Sequence, residues 1–164
     1  MNNIVLVGMP GSGKSTIGVV LAKVLGYEFL DTDLLIQKRE GRKLSKIIAQ
    51  DGIERFLAIE NDVLKGLKVN GHVIATGGSA IYGKEGMEHL KEIGKVLYLK
   101  VGYHELCDRL GNLTARGVVL KEGQSFFDLY EERVPMYEAY ADIVIDEKHK
   151  YIRQIVDEIA DMVE

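Results

Sequence analysis

Gly8-Met9-Pro10-Gly11-Ser12-Gly13-Lys14-Ser15-Thr16 decides how the rest of the chain is read. It fits G-x-x-x-x-G-K-[ST], a spacing that turns successive backbone N–H groups toward an anion. Asn3-Ile4-Val5-Leu6-Val7 precedes it as an apolar, β-branched run, the mark of a buried strand. Thr16 to Leu25 follows with apolar residues at helical spacing. The glycines let the backbone turn tightly. A helix opening near Lys14 adds the positive end of its dipole. Gly11, Ser12, Gly13, Lys14, Ser15 and Thr16 are therefore the candidate residues for a nucleoside triphosphate. Lys14 would reach the β- and γ-phosphates, and Ser15 would hold Mg²⁺. A glycine-rich turn with no ligand is the competing reading, and the strand–loop–helix setting speaks against it.

The 164 residues suit one domain spanning 1–164. With 46% apolar and 28% charged residues, composition is that of an ordinary globular chain. No apolar run approaches a membrane span and no basic leader is visible, so neither a membrane nor a signal peptide is expected. Cys107 is the single cysteine, which suits a reducing cytoplasm, and it reads as a small core or half-buried residue. The net charge of −4, without a basic stripe, argues against nucleic acid and for a small phosphorylated ligand. His72, His89, His104 and His149 show no metal-ligand spacing.

Outward from the loop, Glu28-Phe29-Leu30 is a short strand that ends at Asp31-Thr32-Asp33. Asp31 could cap the next helix. Placed beyond the carboxyl end of a strand, the aspartate pair could equally orient Mg²⁺ or accept a proton. Helices follow at 34–39, at 44–50 and from Gly52 through Leu67, the last with one apolar face and with Glu54, Arg55 and Glu60 read as solvated. His72 to Thr76 is a third strand, and Gly77-Gly78-Ser79 after it marks either a sharp turn or a close approach of backbone to ligand. A helix at 83–93 leads to a fourth strand at 95–101. A helix at 104–110 carries Arg109, and Gly111 to Gly117 reads as a closing loop with Arg116 near its tip. Pro135 should kink or restart the helix at 124–140. A fifth strand at 142–146 and a helix at 152–163 complete the chain. The alternation predicts an α/β fold, a parallel sheet of five strands with helices on both faces.

With these pieces in place the sequence resembles the shikimate kinases along essentially its whole length. Gly8 to Gly18 is similar to their opening, Asp31-Thr32-Asp33 to their second motif, and Gly77-Gly78-Ser79 to their glycine triplet. Arg133, two residues before Pro135-Met136-Tyr137, matches the arginine of Arg-x-Pro-Leu-Tyr. The resemblance implies a P-loop NTPase-type three-layer sandwich that uses ATP and Mg²⁺, with substrate-binding helices at about 33–62 and a lid at about 110–124. Catalysis would fall to Lys14, Asp33 and Arg116. Arg109 would stack on adenine and Arg116 would close over the phosphates. Ser15, and Asp31 through water, would hold the metal. Asp33, Gly77, Gly78 and Arg133 would bind the acceptor, with Arg133 on its carboxylate. The implied enzyme is a cytoplasmic, monomeric kinase of aromatic amino acid biosynthesis that makes shikimate 3-phosphate.

Three positions depart from the family pattern. Leu57 stands where the family has a second carboxylate-binding arginine, and its loss would weaken acceptor binding by roughly ten- to a hundredfold. Arg55 lies about 200° around the helix and points elsewhere. Lys38, Arg39 and Arg42 lie in a stretch that could reach the space. Glu60, without that arginine, would repel an anionic substrate. Ser79 replaces the third glycine, and Gly117 follows Arg116 where proline is usual. The first two changes fall on the acceptor side. They leave open a kinase of the same fold for another hydroxy acid or polyol, or a nucleotide-binding module without catalysis.

Overall fold

A computed structural model describes residues 2–110 and 120–164. Five parallel strands form one sheet: β1 (Asn3–Val7), β2 (Glu28–Asp31), β3 (His72–Ala75), β4 (Gly94–Lys100) and β5 (Ile143–Asp146), in the order β2-β3-β1-β4-β5. The strand carrying the phosphate loop is therefore central. Val5 lies between Ile74 of β3 and Val96 of β4. All five residues of β1 are buried, because both faces of the sheet are covered.

Alternate residues of each strand feed separate layers. Ile4, Leu6, Leu97 and Leu99 pack with Ile17 and Leu21 of α1 (Lys14–Leu25) and with Ile155 and Ile159 of α8 (Ile152–Val163). Val5, Val7, Val96 and Tyr98 face the opposite layer. That layer holds α4 (Ile53–Lys65), α5 (Lys84–Ile93), α6 (Tyr103–Arg109) and α7 (Phe126–Tyr140), contributing Leu64, Leu90, Leu106 and Tyr137. This is the predicted three-layer arrangement. No helix among the described residues is long and apolar enough to cross a membrane.

A smaller cluster joins α2 (Thr32–Glu40), α3 (Leu44–Asp51) and α4 through Ile36, Ile47, Phe56 and Ile59. Phe56 is 1% exposed, and burying a side chain of that size is worth about 1.5–3 kcal/mol. The cluster fixes three helices beside the carboxyl end of β2, which makes them a wall of the site.

Two expectations change. The helix does not restart at Pro135, since α7 runs unbroken from Phe126 to Tyr140 with the proline inside. Leu129, Arg133 and Tyr137 are buried along one face, and their packing holds the helix across the missing N–H. Cys107 is exposed on α6 rather than half-buried, because Leu106 takes the inward position of that turn.

Candidate active site

The loop after β1 starts from its glycines. Gly11 and Gly13 hold φ of +86° and +91°, left-handed values that strain any side chain. Gly13 is the N-cap of α1, so the first N–H groups of that helix open onto the loop. Lys14 Nζ donates to the carbonyl oxygens of Gly8 and Met9 at 2.7 and 3.0 Å. Burial pushes its ammonium down to about 8, while the Asp33 carboxylate pulls it back up. Ser12 departs from expectation. Its N–H is engaged by the Met9 carbonyl at 3.1 Å and its hydroxyl is buried, so it shapes the loop from beneath.

Asp31 takes the capping role, and its second oxygen faces the loop. Its Oδ1 accepts from the N–H groups of Asp33 and Leu34 at 2.9 and 3.3 Å and caps α2. Its Oδ2 accepts from Ser15 Oγ at 3.2 Å. The cap therefore aims the carboxylate at the loop. A hydroxyl and a carboxylate at this separation are hard oxygen donors suited to Mg²⁺. In the first turn of the helix, burial and the neighbouring Asp31 push Asp33 up to about 6, against the pull of Lys14.

Neither Gly77 nor Gly78 takes a positive φ, so close approach rather than turn geometry explains them. A Cβ on Gly77 would stand 2.5 Å from Asp33 Oδ1 and 3.0 Å from Glu60 Oε2. On Gly78 it would stand 2.9 Å from Arg133 Nη1. Three ionisable side chains thus crowd onto the glycine backbone. Arg133 and Tyr137 are four apart on α7 and share a face. Tyr137 donates its hydroxyl to the Gly78 carbonyl at 2.6 Å, which locks the segment beside Arg133.

Glu60 is buried rather than solvated, at 2% exposure. It is not left unpaired either, because Ser79 Oγ donates to its Oε1 at 2.7 Å. Burial pushes its carboxyl up to about 8, with Asp33 adding to the rise, which favours its neutral form and weakens any repulsion of an anion. Ser79 thus bonds one oxygen of the buried Glu60 carboxyl. Leu57 packs into the α2–α4 cluster. Arg55 is exposed, Arg39 pairs with Glu40 and Asp62, and Arg42 pairs with Glu40 and Asp51.

A testable consequence is the pH dependence of stability. Glu60 keeps its proton up to about pH 8 in the fold, whereas the ordinary value is 4.5. Between these values the native state binds more protons than the unfolded one, so stability falls as pH rises, by up to about 1.4 kcal/mol per unit. Glutamine mimics the protonated carboxyl. Glu60→Gln should therefore hold its Tm better than the unmodified protein from pH 5 to pH 8. Asp33 and Glu147 are also raised and add slopes of the same sign, so the difference between the two proteins is the readout.

Arg109 donates to the Gly11 carbonyl at 3.0 Å and pairs with Glu105 and Glu147. These features open onto one cleft of about 480 Å³. Gly11, Gly13, Lys14, Ser15, Thr16, Asp31, Asp33, Gly77, Gly78, Arg109 and Arg133 all line it, and of the described candidates only Ser12 does not. Arg116 lies outside the described residues. Sequence reasoning missed Thr76, Tyr82, Tyr137 and Glu147. Thr76 and Glu147 sit just past β3 and β5, at the carboxyl edge where ligands collect.

Comparison with known proteins gives a consistent result. The family model described as shikimate kinase matches residues 10–164. A shikimate kinase of Bacillus cytotoxicus is 36% identical over 160 residues, covering 97% of this chain and 96% of that one. One from Thermodesulfovibrio yellowstonii is 36% identical over 149 residues, covering 89% and 86%. Among solved structures, the shikimate kinase of Acinetobacter baumannii in complex with shikimate superposes with a TM-score of 0.91 at 33% identity, covering 99% of this chain and 93% of that one.

Proposed function

The chain belongs to the shikimate kinase family, and from that premise we propose that it transfers the γ-phosphoryl of ATP to a hydroxyl of shikimate. One observation carries the reading: the phosphate loop, Asp33, the Gly77-Gly78 backbone and Arg133 all open onto the same cleft. On the nucleotide side, the loop N–H groups and Lys14 bind the phosphates, and Arg109 flanks the base. Ser15 and Asp31 would hold Mg²⁺, which supplies charge neutralisation between the β- and γ-phosphates. On the acceptor side, Arg133 grips the carboxylate and Gly78 offers its N–H. Asp33 positions the attacking hydroxyl and takes its proton. Lys14 stabilises the charge that builds on the transferred group. Arg116 adds a second cation over the phosphates. One chain supplies every group named, so we place the reaction on a monomer, working in the cytoplasm.

Leu57 favours a second reading, a different hydroxy acid as acceptor, because the family's second carboxylate contact is absent. The two are separated by acceptor-dependent ADP release over a panel of hydroxy acids and polyols. Shikimate should give the highest kcat/KM. Leu57→Arg, one turn from Glu60 on α4, should lower KM for shikimate by about tenfold, the scale of one charged hydrogen bond. Turnover of another acceptor with none of shikimate would overturn the assignment.

A further inference from the structure

Arg133 is 1% exposed, and a cation so deeply placed needs its geometry held by partners. Tyr82 closes the short 3₁₀ turn Ala80–Tyr82 that follows the glycine segment. Arg133 Nε donates to the Tyr82 hydroxyl at 3.3 Å. The guanidinium carbon also lies 5.3 Å from the centre of the Tyr82 ring. The same hydroxyl donates its only proton to Glu132 Oε2. Lys121 Nζ approaches the other oxygen, Glu132 Oε1, at 3.4 Å. Arg133 Nη1 stands at the Gly78 wall of the cleft.

We propose that Tyr82 is a positioning residue for the acceptor, holding the Arg133 guanidinium by its Nε edge so that its two Nη groups face the acceptor's carboxylate. The proposal rests on the reading of Arg133 as the carboxylate grip. The phenol's proton is committed to Glu132, so its lone pair faces Arg133. Donation to a carboxylate makes the oxygen a better acceptor and passes part of the negative charge of Glu132 toward the buried cation. A guanidinium fixed at Nε loses little further freedom when its fork takes a carboxylate, and a forked contact depends on that alignment.

The test is steady-state kinetics on the full chain carrying Tyr82→Phe, Tyr82→Leu, Glu132→Gln and the double variant Tyr82→Phe/Glu132→Gln. Phenylalanine keeps the ring over Arg133 and the packing of the 3₁₀ turn, and removes only the hydroxyl. KM for shikimate should rise about fivefold in Tyr82→Phe, the size of one ordinary hydrogen bond. KM for ATP should move less than twofold. Tyr82→Leu, which also loses the ring, should raise the acceptor KM further. The double variant should be no worse than Tyr82→Phe, because both changes break one chain of bonds. A purely structural role would instead lower Tm and shift both KM values together, and that result overturns the proposal. An unchanged acceptor KM in an active Tyr82→Phe overturns it as well. If the unmodified protein releases no ADP with shikimate, the acceptor assignment falls and this role falls with it. The two failures are therefore distinguishable.

Discussion

Asp33→Asn should lower kcat by about a hundredfold to ten-thousandfold, the range for losing a positioned acid–base group. Asparagine keeps the shape and a hydrogen bond to the acceptor hydroxyl, but it cannot take a proton. The loss should therefore appear mainly in kcat, with a smaller change in the acceptor KM. The pH profile carries a second signature. Burial and Asp31 place the Asp33 carboxyl at about 6. A base must be deprotonated to act, so the unmodified protein should lose kcat/KM about tenfold per pH unit below that value. In Asp33→Asn that acidic limb should vanish. Retention of the limb in the variant would assign it to another group and remove Asp33 from the role of base.

Lys14→Met should lower kcat by about a hundredfold to a thousandfold, the scale for removing one preorganised charge-stabilising donor. Methionine is similar in length and fills the buried space, although the Gly8 and Met9 carbonyls lose their shared donor. Lys14 also holds the pKa of Asp33 down. Its removal should therefore move the acidic limb of the residual activity to higher pH. A folded Lys14→Met protein with a weakened rate and an unmoved limb would mean the two groups act independently. Wild-type activity in this variant would remove Lys14 from phosphoryl transfer altogether.

The fold was readable from sequence because its signals are local. Buried parallel strands give unbroken apolar runs such as Val96-Leu97-Tyr98-Leu99, and the helices at 53–65 and 152–163 each keep one apolar face. The carboxyl-edge rule puts Asp31, Asp33 and the Gly77-Gly78 segment on one side of the sheet, where they line one cleft. The missing parts are long-range. Whether Glu60 meets solvent depends on how α4 lies against residue 79, nineteen positions away. The partnership of Tyr82 with Glu132 and Arg133 spans about fifty residues and leaves no periodic trace. That Asp31 caps α2 with one oxygen and meets Ser15 with the other depends on the spatial approach of two segments, which a sequence does not show.

Ser79 and Glu60 form one buried pair beside the cleft. A leucine at 57 without a change at 79 would leave a buried glutamate with neither oxygen bonded. Ser79 bonds one oxygen and leaves the other, Oε2, without a hydrogen-bond partner among the described residues. A buried orphan carboxylate of this kind costs several kcal/mol unless it takes up a proton. The raised pKa of Glu60 is that response. Arg109 and Arg133 line the cleft, and beside Arg133 burial holds Glu60 toward its neutral form.

The most direct test of this account is phosphorus NMR of the purified protein with ATP, Mg²⁺ and shikimate. The account predicts one ADP and one new phosphomonoester of shikimate for each ATP consumed, with no free inorganic phosphate. Unchanged ATP, or ADP accompanied only by inorganic phosphate, would contradict it.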